Sequence, residues 1–276
     1  MELKEYHWKS FDGLDLYAVQ WNVVGKPDAL IAFVHGHGDH CRRYDDWFSK
    51  MGAANISVIS FDYRGNGRSQ GRRGIIRNFS NLLQDVALLH EKAKTFYPGI
   101  PVVLYGHSLG ATLVISYLLR FQTRPELAIA TSPWLKLKKS PNKWLSLILK
   151  LLNSVTPYIT VGTGLHSADF SNADGFAEKR EKDEFVHNRI SIRMFREVEK
   201  EAAWIGEHFS EIKTPLLLMQ GRDDKVMKYD GARNLKEKAP GQVNYREWKF
   251  AGHQLHNSER SNEVMEYLLD WIKEGI

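Results

Sequence analysis

Short, nearly unbroken apolar runs recur along the chain at Leu30–Val34, Ser57–Asp62, Val102–Tyr105, Leu127–Thr131 and Pro215–Gly221. Runs of this length, β-rich in composition, predict strands buried on both faces, as in a parallel sheet. The intervening segments have helical spacing. Over residues 78–97, Leu82, Val86, Leu89 and Ala93 fall on one face. Helices are also expected over Ala111–Phe121, Tyr229–Lys238 and Asn262–Lys273, with a last strand over Val243–Phe250. Alternating strands and helices predict a mostly parallel, doubly wound α/β sheet. Between Ser132 and Ile212 the alternation stops. Pro133, Pro141 and Pro157 fall there, followed by helical candidates without strands between them. This predicts a core made of residues 1–131 and 213–276, with residues 132–212 inserted as a helical cap.

The chain has 276 residues, 43% of them hydrophobic, which suits one large α/β domain carrying an insertion. No apolar stretch approaches the ~20 residues of a membrane span. The first residues, Met1-Glu2-Leu3-Lys4-Glu5, are charged and lack an apolar h-region, so no signal peptide is expected. A single cysteine, Cys41, excludes an internal disulfide and a Cys-based zinc site. It fits a reducing compartment, and a cytoplasmic location is the expectation. The formal charge of +5 permits attraction to anionic surfaces without pointing to nucleic acid.

Two sequence features compete to define the chemistry. The first is Gly106-His107-Ser108-Leu109-Gly110, which follows an expected strand and opens an expected helix. G-x-S-x-G in that context is a nucleophile elbow. The turn is sharp enough to strain the serine, and side chains two residues before or after it would collide with neighbouring backbone. Ser108 then sits at a helix N-terminus, which favours developing negative charge. A serine nucleophile needs a base, and the base needs an orienting acid, in chain order Ser, acid, His. Asp223 and Asp224 follow the strand ending at Gly221, and Asp224 matches the G-x-x-D spacing. Asp223 reads as a turn or surface residue. His253 stands just past the last strand and is the expected base, with His256 as competitor.

The second feature is Val34-His35-Gly36-His37-Gly38-Asp39-His40. Its letters resemble the first zinc motif of the metallo-β-lactamase superfamily. That fold supplies an aspartate soon after its second motif, and no Asp occurs here between Ser108 and Ala168. It also places a long β-rich segment before the first motif, and only 34 residues precede His35. The hydrolase reading instead uses the glycines. Gly36 and Gly38 let the backbone aim its N–H groups at the site, so that those of His37 and Leu109 form an oxyanion hole. No metal and no organic cofactor is then required.

Taken together, these pieces resemble the monoacylglycerol lipase/lysophospholipase group of the α/β-hydrolase family over nearly the whole chain. The likeness rests on Phe11-Asp12-Gly13-Leu14, the His35–His40 loop with Arg43-Tyr44, Phe61-Asp62-Tyr63-Arg64-Gly65-Asn66-Gly67-Arg68-Ser69, the elbow, Gln220-Gly221-Arg222-Asp223-Asp224 and His253-Gln254-Leu255-His256. The resemblance implies an α/β-hydrolase fold, a Ser108–Asp224–His253 triad and His37/Leu109 as oxyanion donors. It also implies a polar cluster for the glycerol head, at positions Asp39, Arg43 and His256. The implied reaction is hydrolysis of a single-chain lipid ester. Lysophospholipids, small soluble esters and peptides are rival substrates, because the fold hosts them all. A ligand receptor on the same fold would be signalled by a lost triad member, and none is lost.

The cap adds one further expectation. Residues 127–168 contain no Asp or Glu, whereas Lys136, Lys138, Lys139, Lys143 and Lys150 are interleaved with Trp134, Leu135, Trp144 and Leu145. Such a segment suits peripheral contact with an anionic membrane, and the apolar run 144–152 suits an acyl-chain wall. The mixed-sign run Glu178–Glu184 reads as plain solvated surface. Oligomeric state leaves no trace in the sequence. Reading the His35–His40 loop as backbone machinery has a direct consequence for metal removal. Exhaustive treatment with EDTA or phenanthroline should leave ester turnover intact. Inactivation reversed by added zinc would restore the metal reading.

Overall fold

The computed structural model describes residues 1–239 and 241–276. In chain order its elements are β1 (Glu2–Lys9), β2 (Asp15–Asn22), β3 (Ala29–Val34), α1 (Asp45–Met51), β4 (Ile56–Phe61), α2 (Phe79–Phe96), β5 (Val102–His107), α3 (Leu109–Arg120) and β6 (Leu127–Thr131). There follow α4 (Lys143–Val155), β7 (Thr160–Gly162), α5 (Phe176–Glu181), β8 (Arg189–Ser191), α6 (Ile192–His208), β9 (Leu216–Gly221), α7 (Tyr229–Lys238), β10 (Val243–Trp248) and α8 (Ser261–Gly275).

Eight strands make one sheet in the order β1-β2-β4-β3-β5-β6-β9-β10. From β4 through β10 every neighbouring pair is parallel, while β2 is antiparallel to both β1 and β4. The unbroken apolar runs are explained by the two cores. In β3, Leu30, Ala32 and Val34 enter one of them, whereas Ala29, Ile31 and Phe33 enter the other. Every residue of β3, β4, β5, β6 and β9 is buried. A strand covered on both sides has no position at which water tolerates a charge.

The expected core strands and helices are present, with ends shifted by one or two residues. The N-terminal hairpin β1–β2 was not expected. Its edge strand carries Glu2, Lys4, Glu5 and Lys9 and is mostly exposed. Charge on an edge strand discourages pairing with other chains, and it also removes the apolar run that marks a strand.

Two features of the insert depart from expectation. It contains a short antiparallel pair, β7 with β8, where only helices were expected. Its last helix, α6, packs against α2 and α3, and Met194, Val198 and Ile205 enter the main core. The chain thus rejoins the body of the domain before residue 213. α4 packs on α6 and buries none of its residues. Its start is fixed by Asn142, whose side chain accepts the Leu145 N–H at 2.9 Å. Among the described residues no helix is long and apolar enough to cross a membrane. Because the strands are parallel, the loops after β3, β5, β6, β9 and β10 gather at one end of the sheet, where ligand sites of open α/β sheets form.

Candidate active site

Ser108 lies between the end of β5 and the start of α3, with φ 55° and ψ −117°. A non-glycine residue in that region is strained and must be held there by its surroundings. The flanking glycines show what holds it. A Cβ on Gly106 would lie 2.3 Å from the Gly110 carbonyl oxygen, and one on Gly110 would lie 2.0 Å from that of Val34. Strand, turn and helix are therefore in backbone contact, and only hydrogen fits between them. The Ser108 N–H donates to the Thr131 carbonyl at 2.9 Å, which ties the elbow to β6.

Ser108, His253 and Asp224 form one hydrogen-bonded chain. His253 Nε2 is 2.9 Å from Ser108 Oγ, and His253 Nδ1 is 2.8 Å from Asp224 Oδ2. With the imidazole proton on Nδ1, Nε2 is free to accept from the serine hydroxyl. All three residues are buried, Ser108 being 7% exposed. Asp224 is held by more than His253. Its Oδ1 accepts the N–H groups of Val226 at 2.7 Å and Met227 at 2.8 Å. Its Oδ2 also accepts from Gln220 Nε2 at 2.7 Å. Asp223, by contrast, is exposed and turned away. The His253 carbonyl accepts the Ser132 hydroxyl at 2.7 Å, and Ser132 itself has a positive φ of 49°. Gln220 and Ser132 thus support the chain of three. Nothing in the sequence marked them, because a serine and a glutamine at strand ends are ordinary.

The three histidines of the loop after β3 diverge. His35 is fully buried, stacked on Tyr63, with Nδ1 2.8 Å from the Gly36 carbonyl. His37 reaches the Arg189 carbonyl through Nε2 at 2.9 Å. His40 Nε2 is 2.9 Å from Asp183 Oδ2. Burial drives the His37 pKa down to about 3, with nearby His187 adding to the effect, so His37 is neutral. No group of three or more potential metal ligands converges among the described residues. The backbone of the loop is what meets the serine. A Cβ on Gly36 would stand 3.1 Å from Ser108 Cβ. Leu109 opens α3, so its N–H has no acceptor within the helix.

Asn66 ties this loop to the insert. Its Oδ1 accepts both the Gly38 N–H and His187 Nε2–H, each at 3.1 Å. The His187 N–H returns a bond to the Gly38 carbonyl at 3.0 Å. Gly38 has φ 69°, and a Cβ there would meet the His187 carbonyl oxygen at 2.0 Å.

A cavity of about 360 Å³ opens above Ser108. Trp134, Leu137, Leu165, Phe170, Ile190 and Phe195 supply apolar wall. The lining residues do not include any from α4, where residues 144–152 were expected to form an acyl wall, and the apolar wall comes from other parts of the insert. Asp39, Arg43 and His256 also fall outside the lining and form a packed layer. Asp39 Oδ1 is 2.8 Å from Arg43 Nε, while its Oδ2 lies 3.3 Å from the Tyr44 hydroxyl. Burial pushes the Asp39 carboxyl up, but Arg43 and Arg180 outweigh it and hold its pKa below the usual value. His256 sits against Tyr44 and Trp47, and burial lowers its pKa to about 3. The polar wall is supplied by Arg180 and Asp183, from the run expected to be solvated surface. Arg180 is only 6% exposed, which corrects that reading.

Fold and site define the class as a serine hydrolase of the α/β-hydrolase fold. Residues 25–260 match the family described as serine aminopeptidase, S33, and the chain belongs to that family. It is 31% identical over 263 residues to the monoglyceride lipase homolog of Monkeypox virus, covering 93% of this chain and 94% of the relative. It is also 31% identical over 261 residues to an uncharacterized abhydrolase domain-containing protein of Dictyostelium discoideum. That match spans 93% of this chain but only 27% of the longer relative. Among solved structures, the Paleococcus ferrophilus monoacylglycerol lipase superposes with a TM-score of 0.85 at 26% identity, over 95% of this chain and 99% of that one.

The neighbouring acids should separate cleanly. Asp224→Asn should lower kcat by about 10⁴-fold, since an amide facing Nδ1 favours the wrong imidazole tautomer. Asp223→Asn should change it less than threefold, in line with an exposed surface position. Steady-state kinetics on a soluble ester reads both. A larger loss at Asp223 would reverse the assignment of the acid.

Proposed function

We propose that this chain hydrolyses esters of single-chain lipids, monoacylglycerols foremost, through an acyl-enzyme on Ser108. The observation that carries this reading is the hydrogen-bonded Ser108–His253–Asp224 chain at the floor of a largely apolar cavity roofed by the insert. The names of the viral and archaeal relatives support the same substrate class.

The reaction follows from the geometry. The acyl carbonyl enters beside Ser108, and Oγ attacks its carbon while His253 Nε2 takes the hydroxyl proton. Asp224 stabilises the imidazolium and fixes its orientation. The new oxyanion is received by the backbone N–H groups of His37 and Leu109. Collapse expels the alcohol, protonated by His253, and leaves the acyl group on Ser108. Water then attacks the acyl carbon, gives its proton to His253, and the fatty acid departs as Oγ recovers that proton.

The insert 132–212 acts as cap, and α4 as its lipid-facing surface. Trp144, Leu147, Leu151 and Val155 are 77%, 49%, 63% and 79% exposed. Water-exposed apolar area on this scale marks a surface that meets something apolar. Lys138, Lys143 and Lys150 are exposed around it, whereas Lys136 is paired with Asp230 at 3.0 Å and Lys139 lines the cavity. Apolar side chains ringed by lysines fit the interface of an anionic bilayer.

Ser108→Ala should remove hydrolysis of monoacylglycerol and labelling by a fluorophosphonate, with kcat falling on the order of 10⁶-fold. Turnover close to the parent protein would overturn the nucleophile. Changing Lys138, Lys143 and Lys150 to Gln should weaken sedimentation with anionic vesicles at low salt. At ~1 kcal/mol for each lysine, the partition coefficient should fall by about two orders of magnitude. Hydrolysis of a dispersed long-chain substrate should fall with it. Unaltered partitioning would make α4 a cap helix with no membrane role.

A further inference from the structure

Arg180, on α5, is a charged side chain placed where water has little access. It is 6% exposed, yet its Nη1 is buried without a hydrogen-bond partner among the described residues. The nearest carboxylate is Asp39, whose Oδ2 lies 3.9 Å from Nη1, beyond hydrogen-bond distance. Asp39 is already engaged by Arg43, Tyr44 and the backbone N–H of His40. The guanidinium lies over the Phe170 ring at 4.5 Å, and that ring is 5.6 Å from the His253 ring. Arg180 and Ser108 line the same cavity. A buried guanidinium nitrogen without an acceptor is costly, so an oxygen arriving in the cavity gains more here than at an exposed arginine.

Charge decides which oxygen. Arg43 and Arg180 face two carboxylates, Asp39 and Asp183, with Asp183 3.5 Å from Arg43 and 2.9 Å from His40. The two guanidinium charges are therefore already matched, and the other charged residues of the cavity lining, Lys139, Lys225, Asp169 and Glu181, are balanced in sign as well. An entering phosphate would add unmatched negative charge to a poorly solvated cluster, whereas a hydroxyl adds none and still fills the vacant donor. We propose that Arg180 is a specificity residue of this site, supplied by the cap, that donates hydrogen bonds to the hydroxyl oxygens of a neutral polyol head group.

This deepens the proposed function and rests on it, so the test keeps the two apart. Three substrates with one acyl chain are compared: the 1-monoacylglycerol, the methyl ester without head-group hydroxyls, and the lysophosphatidic acid. The parent protein should prefer the monoacylglycerol to both others in kcat/KM. In Arg180→Gln the ratio of monoacylglycerol to methyl ester should fall about 10- to 100-fold, the range expected for a lost charge-assisted hydrogen bond. Arg180→Lys, which keeps the charge but loses the planar fork, should recover part of the ratio. Fluorophosphonate labelling and thermal melting establish that each variant is folded. A ratio that does not move in a folded variant overturns the proposal. So does a parent enzyme that prefers the lysophosphatidic acid and loses that preference in Arg180→Gln, because Arg180 would then be an anion site. Failure of the parent protein to cleave any of the three would instead sink the lipid-esterase reading beneath it.

Discussion

Everything in this site hangs on the backbone contact between Gly110 and the end of β3. The start of α3 presses against the Val34 carbonyl so closely that a single methyl group has no room. That contact holds Ser108 at a positive φ and aims its hydroxyl out of the turn. It also brings the loop after β3 alongside the serine. Ser108 and the backbone of the loop after β3 are thus placed by one packing event. The energy that holds the strain comes from the two-faced burial of β3 and β5 around it.

The same geometry explains why the fold was so readable. Strands buried on both faces, β3 through β6 and β9, must be almost purely apolar, and that run is visible in one dimension. Ser108 and Asp224 follow such strands, whereas His253 lies five residues past the half-buried β10. β1 was invisible for the opposite reason. It lies at an edge, carries alternating charge, and reads like a tail. β7 and β8 have three residues each and owe their pairing to the insert that frames them, not to their own composition.

The polar side of the cavity was misread for a different reason. Glu178–Glu184 alternates in sign, as exposed helices do. Only the tertiary structure turns Arg180 and Asp183 inward, while Glu178 and Lys182 pair on the outside at (i, i+4). Charge composition reports how a segment interacts with water on average. It does not report which of its residues faces a neighbour. Asp39, Arg43 and His256 show the complement: Asp39 and Arg43 form an ion pair at 2.8 Å and His256 packs on Tyr44 and Trp47, all three outside the cavity lining.

The bonds around Asn66 bear on how the cap can move. The insert returns to the core through His187–Ser191, and this return is stitched to the loop after β3 by Asn66, by the Gly38 backbone and by His37. Further along, the Ser191 N–H donates to the Gly74 carbonyl at 2.8 Å. The opposite shore of the insert, α4, packs chiefly on α6 and buries none of its residues. The insert is fastened elsewhere too: Leu137 bridges Met227, and the Phe170 carbonyl accepts the Gln254 N–H at 2.9 Å. Moving the insert at His187–Ser191 would break the bonds that hold the loop after β3. Displacing α4 would leave the bonds of that loop intact.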